Sequence, residues 1–117
     1  MEVHAITKNV RMSAQKMREV VRQVQGMPAA QAQMVLAVVP RKGARFVAKT
    51  LKSAIANAED LKEHKKEYAG MRTDRLVIKE ALAQTAASFK RFAPTARGSA
   101  GPIIKRNCHI KIVLSDE

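Results

Sequence analysis

Cys108 and His109 are adjacent, and a thiol beside an imidazole is the pairing from which a cysteine nucleophile and its general base are made. Their spacing argues against it. The run IIKRNCHIKIVL alternates apolar and polar residues, the period of a strand, and neighbours on a strand point to opposite faces. A cysteine on an apolar face is ordinarily core. His4 and His64 lie far away in sequence, and one cysteine offers neither zinc-ligand spacing nor an internal disulfide. Neither a Walker-type Gly-rich loop nor HExxH occurs. The expectation is a protein that is not an enzyme, needs no cofactor or metal, and works in a reducing compartment.

What remains able to do chemistry is cationic. The chain of 117 residues carries a net charge of +12. Residues 1–58 hold ten Lys and Arg against Glu2 and Glu19; residues 59–80 hold equal numbers of each sign; residues 81–117 hold six bases against Asp116 and Glu117. Two separate positive regions attract polyanions, either nucleic acid or an acidic membrane. No apolar run reaches the roughly 18 residues of a membrane span, and MEVHAITKNV lacks the cationic start and apolar block of a secretory signal, so a membrane partner is not expected.

Apolar residues make up 46% of the chain, enough for one modest core, but aromatics only 3%, so Ala, Val, Ile, Leu and Met must fill it. Residues 2–10 read as a short strand. Ser13 offers a helix cap; Met17, Val20, Val21 and Val24 form one helical stripe, and Gly26 ends it. A second helix begins at Pro28, buries Ala32, Val35, Leu36 and Val39, and stops at Pro40. A third spans about residues 41–60. It buries Val47, Leu51, Ala54, Ile55 and Ala58, and about 140° away presents Arg41, Arg45, Lys49 and Lys52. No acid lies between Glu19 and Glu59, so this ridge calls for counter-charge from outside. Residues 59–75 read as a helix end and a mobile, solvated loop.

LVIKEALAQ, residues 76–84, reads as a strand. In the last strand, Ile104, Arg106, Cys108, Ile110, Ile112 and Leu114 fall on one face, and Lys105, Asn107, His109, Lys111 and Val113 on the other. Paired antiparallel, the two make a long hairpin whose outer part is residues 85–103. Each arm of about 19 residues reaches roughly 60 Å at about 3.3 Å per residue. An isolated two-stranded ribbon is marginal in water. With Pro94, Gly98, Gly101 and Pro102 softening its tip, it needs an external scaffold. Lys90, Arg91, Arg97, Lys105 and Arg106 specify an anionic one. The plainer alternative is a disordered cationic loop closing an ordinary hairpin.

VRMSAQKMREVVRQVQG, LKSAIANAED and SFKRFAPTARGSAGPIIKRNCHIKI, in that order, resemble the bacterial-type large-subunit ribosomal protein family numbered twenty-two, over about residues 3–115. The resemblance implies one α+β domain over residues 1–117: three helices on a three-stranded sheet, with a long protruding β-hairpin. It implies a place in the large ribosomal subunit, in the cytoplasm, and a part in early subunit assembly. The domain binds large-subunit ribosomal RNA near the outer opening of the nascent-chain exit tunnel. The hairpin runs inward beside ribosomal protein four to meet the nascent polypeptide.

Arg11, Ser13, Gln15, Lys16 and Arg18 are then expected on an RNA-contacting edge, and Phe89, Lys90, Arg91, Phe92, Pro94, Ala96, Arg97 and Gly98 at the tunnel-lining tip. Lys8, Arg41, Lys42, Arg45, Lys49, Lys105, Arg106 and His109, with Lys90, Arg91 and Arg97 of the tip, complete the RNA-binding set. Many relatives carry a base where this chain has Thr95, and some also do at Ser99 or Pro102, so the tip here is less cationic and more apolar. HKKEYAGMRTD is idiosyncratic.

Binding without turnover is the expected mechanism: Lys and Arg neutralise phosphates and release counterions, and arginines add bidentate contacts. Few aromatics argue against a base-stacking single-strand binder, Phe89 and Phe92 excepted. These two rings either stack on unpaired bases or pack under the loop. Rival classes are a protein that docks on an acidic partner by strand addition, a DNA-bending protein with a minor-groove arm, and a hydrolase using Cys108 and His109.

Overall fold

A computed structural model describes residues 1–116. Strand β1 spans Glu2–Val10, followed by helices α1 (Ala14–Val24), α2 (Ala29–Val38) and α3 (Lys42–His64). Four strands follow: β2 (Val77–Thr85), β3 (Phe89–Pro94), β4 (Ala100–Lys105) and β5 (Cys108–Ser115). Three helices on a three-stranded sheet with an extended hairpin is the expected α+β class.

Local chemistry accounts for most boundaries. Ser13 Oγ accepts from the Lys16 amide at 3.4 Å, capping α1. Gly26 takes φ +86°, the left-handed conformation that glycine adopts without a Cβ clash. Its amide donates to Ile78 O, which ties the end of α1 to β2. Pro28 stands directly before α2, and Pro40 between α2 and α3.

The base sheet has the order β1-β5-β2, both pairings antiparallel. Helices α1 and α3 pack on one of its faces, and α2 packs against α3. Met17, Val20, Val21 and Val24 of α1 and Val47, Leu51, Ala54 and Ala58 of α3 meet Cys108, Ile110, Ile112 and Leu114 of the central strand. Truncating a fully buried member such as Leu51 to Ala costs about 2–5 kcal/mol. Thr50 is a polar peg in this layer. Its hydroxyl lies 2.9 Å from Phe46 O and 2.7 Å from the Thr7 hydroxyl, so helix and strand share one hydrogen-bonded pair. The opposite face carries Ile6, Leu82, His109 and Lys111, and no helix among the described residues covers it.

Four expectations about the elements are corrected. First, α3 continues to His64, and the segment after it is anchored: Met71 and Leu76 are buried and Tyr68 packs on the core. Apolar residues scattered among charges, without a period, hid that anchoring. Second, Val35 and Val39 of the second helix are only half-buried. Apart from Gln31 and Gln33 the helix is apolar all round, so periodicity cannot select its inner face. Third, the last strand is broken. β4 ends at Lys105 and β5 begins at Cys108, while β2 ends at Thr85 and β3 begins at Phe89. Fourth, the single face expected for Ile104, Arg106 and Cys108 is divided at this break: Cys108 is buried, while Ile104 and Arg106 are exposed.

The hairpin is thus two ladders in series: β2 and β5 within the base, then β3 and β4 as a separate two-stranded sheet. Asn107 bridges the break. Its Nδ2 donates to Ala87 O at 2.8 Å, and its own carbonyl accepts from the Ala86 amide at 3.1 Å. The arm extends from the base, giving the molecule a long axis of 67 Å against 28 and 16 Å.

Candidate nucleic-acid interface

The root of the arm and the start of α1 enclose a cationic cleft. It is lined by Arg11, Met12, Ser13, Gln15, Lys16, Lys42, Ile104 and Arg106 and measures about 600 Å³. Four bases and no acid face it. The first turn of α1 also lacks an acid, so the partial positive charge of the helix start adds to theirs. A smaller recess shares Ser13, Gln15 and Arg106 and continues to Arg18, Thr85 and Asn107. Arg18 Nε donates to Ala83 O at 3.1 Å, which orients the guanidinium against β2. Such a site offers phosphate oxygens several charge-assisted donors at once.

Lys42 also lines a second groove, between α2 and α3, together with Arg41 and Arg45. Arg45, Lys49 and Lys52 stand exposed along α3. Arg41 departs from the expected ridge. It lies before the first turn of the helix, and its Nη1 pairs with Glu19 Oε2 at 2.9 Å. One unit of the ridge's charge is thus answered within the chain, by the acid that borders the acid-free segment in sequence. The unanswered ridge begins at Arg45.

Along β3 and β4 the register is Phe89 opposite Lys105, Lys90 opposite Ile104, Arg91 opposite Ile103, Phe92 opposite Pro102 and Pro94 opposite Ala100. Lys90, Arg91, Lys105 and Arg97 are all exposed. The turn is closed by Thr95, whose amide and hydroxyl both donate to Ser99 O, at 2.7 and 2.8 Å. Arg97 and Gly98 take positive φ there, 60° and 73°. Phe89, expected at the tip, sits at the root instead. The Arg11 and Arg91 guanidiniums lie 5.4 and 5.9 Å from its ring centre. Phe92 remains on the ribbon, 77% exposed. The two rings therefore have different surroundings, which their shared composition could not reveal.

Lys8 is exposed beside a bulge in β1. Asn9 takes φ 58° in that bulge, and its amide donates to His109 Nδ1 at 3.1 Å. An imidazole accepting at Nδ1 carries its proton on Nε2. His109 is thereby committed to Asn9, while Cys108 is fully buried on the other face, its thiol pushed up by desolvation. The two do not form a nucleophile and base. Among the described residues, no cluster of His, Cys, Asp and Glu suits a metal, and no helix is long and apolar enough to cross a membrane.

The candidate residues accordingly fall into three groups: Arg11, Ser13, Gln15, Lys16, Lys42 and Arg106 around the cleft, with Arg18 beside it; Arg45 and Lys49 on α3; and Lys90, Arg91, Arg97 and Lys105 on the ribbon. Sequence reasoning missed Asn107 as the residue that joins arm to base. The only signal was an amide inside an alternating strand pattern.

The family model of ribosomal protein L22p/L17e matches residues 5–115. The chain is 48% identical over 116 residues to the large ribosomal subunit protein uL22 of Opitutus terrae, covering 99% of this chain and 96% of that one. It is 43% identical over 117 residues to uL22 of Akkermansia muciniphila, covering 100% and 98%, and 45% identical over 117 residues to uL22 of Methylacidiphilum infernorum, covering 100% and 96%. A base of three helices on a three-stranded sheet, a projecting hairpin and an alignment running almost end to end agree: the chain belongs to the ribosomal protein L22p/L17e family.

Proposed function

We propose that this chain, a structural and non-enzymatic constituent of the large ribosomal subunit and so of the cytoplasm, binds large-subunit ribosomal RNA through the cleft at the root of its arm. The observation that carries the reading is the enclosure of Arg11, Lys16, Lys42 and Arg106 around one acid-free cleft at a helix start. Like charges held this close repel unless an anion lies between them. Structured RNA supplies phosphates at fixed spacing, and its backbone and 2′-hydroxyls suit the Ser13 and Gln15 side chains. The α3 positions from Arg45 to Lys52 serve as a second phosphate-facing surface.

The arm is the second part of the reading. Beyond Asn107 no layer among the described residues covers either face, and it carries Lys90, Arg91, Arg97 and Lys105 without an acid. RNA along its length provides the missing support, and in this reading its turn lines the nascent-chain exit tunnel beside ribosomal protein four. There Phe92, Pro94 and Gly98 meet the nascent polypeptide. Insertion of so exposed a ribbon into RNA early in assembly stabilises both partners.

Filter binding of the whole chain to large-subunit RNA fragments over a salt series tests this. A steep linear fall of log K with log salt, and poor competition by duplex DNA, are expected. Equal competition by duplex DNA would overturn the reading in favour of a DNA-bending protein.

A further inference from the structure

Residues 23–40 contain no charged side chain, in a chain where 27% of residues are charged. This segment includes all of α2, whose sequence AAQAQMVLAV is uncharged and, apart from Gln31 and Gln33, apolar. A helix apolar on all sides is ordinarily buried on all sides. Here only Ala29, Ala32 and Leu36 face the core. Ala30, Met34, Ala37 and Val38 gather on the opposite side, flanked by the uncharged Gln31 and Gln33, and Met34 and Val38 are 73% and 78% exposed. Ala37 continues this face into the groove between α2 and α3, about 580 Å³, floored by Leu36, Val39, Pro40, Ala44 and Ala48. At its far edge stand Lys42 and Arg45, with no acidic partner among the described residues, whereas Arg41 is already paired with Glu19.

We infer that the outer face of α2 is a protein-docking surface whose occupant is an apolar segment of a neighbouring large-subunit protein, ending in a carboxylate that reaches Lys42 or Arg45. RNA does not fit the face, because a phosphate backbone needs cations and the helix supplies none. A second copy does not fit either, because two chains of net charge +12 repel. An apolar segment with an acid at one end matches both the uncharged floor and the cationic edge. The inference rests on membership of the family and shares Lys42 and Arg45 with the phosphate-facing surfaces proposed above; Met34 and Val38, which its test alters, lie outside the cleft.

Photo-crosslinking in purified large subunits tests it, with Met34 replaced by p-benzoylphenylalanine. The expected product is one protein adduct, whose linked peptide has an apolar run next to Asp or Glu. Combining Met34→Asp with Val38→Asp tests the face a second way. Both positions are exposed, so helix content by circular dichroism is retained and the variant still enters subunits. Adduct formation from a crosslinker at position 37 then falls at least tenfold relative to the same crosslinker without the Asp pair. An adduct to RNA, an adduct to a second copy of this chain, an adduct to a basic peptide, or no adduct would each overturn the inference. So would an adduct indifferent to the Asp pair.

Discussion

The Arg11 guanidinium lies 5.4 Å from the centre of the Phe89 ring, so a residue just past β1 holds the first residue of the distal ribbon. A cation over an aromatic face contributes about 0.5–1 kcal/mol at an exposed site. Arg11→Ala and Phe89→Leu should each raise amide exchange at the root of the ribbon. The double variant should show a coupling of about 0.5 kcal/mol. Arg11→Ala alone should also weaken RNA binding, since it removes a cation from the cleft. Phe89→Leu should spare binding by comparison.

Replacing Lys90, Arg91 and Arg97 together by Ala should leave the base folded, because none of the three touches the core. Three lost phosphate contacts flatten the salt dependence of RNA binding by about 2 in slope. Hydroxyl-radical footprints along the exit tunnel should fade while those near the cleft persist. Unchanged tunnel footprints would remove the arm from the proposed function.

Gly101 is set by contact rather than by backbone conformation. A Cβ there would come within 2.8 Å of Thr95 Cγ2. Thr95 is itself fixed by two hydrogen bonds to Ser99 O. Gly101→Ala should therefore displace Thr95 and destabilise the turn by about 1–2 kcal/mol, read as faster exchange of the Thr95 amide. Adding Thr95→Ser removes the obstructing methyl and keeps the hydroxyl, and should restore slow exchange.

Two carboxylates tie down the ends of the base. The Glu2 carboxyl is held below its ordinary value of 4.5 by its hydrogen bond to Lys79 and then by that ammonium's charge. Asp116 is held below 3.8 chiefly by its hydrogen bond from the Met1 ammonium. Groups with lowered folded values stabilise the protein above their unfolded values, and this contribution is lost as pH falls through the folded ones. Denaturant midpoints should therefore be level near neutrality and begin to drop below about pH 4.5. Glu2→Gln should make that drop shallower.

Much of the base was legible because its signals are local. A capping serine, a stripe of Met17, Val20, Val21 and Val24, and the punctuation of Gly26, Pro28 and Pro40 each act within a few residues. The basic positions were legible as types, and their grouping was not. That Arg106 closes a cleft with Arg11 and Lys42 depends on where the chain turns at Asn107, a tertiary hydrogen-bonding choice without a sequence period. Strand alternation carried straight through the break and set Ile104 on one continuous face with Cys108, since the period of two continues whether or not the ladder does. Phe89 was expected at the tip from the resemblance, and a resemblance of motifs says nothing about which guanidinium claims the ring.

The separation of β3 and β4 from the base sheet makes the span of the arm a dimension that natural variation can adjust on its own. Deleting two facing pairs would shorten the projection by about 7 Å while returning every remaining side chain to its original side. Deleting one pair would exchange the sides, turning Phe92 toward the surface that now carries Arg91. Reach is thus graduated in steps of two residues per strand, and the helices and their sheet need not change for it to be reset.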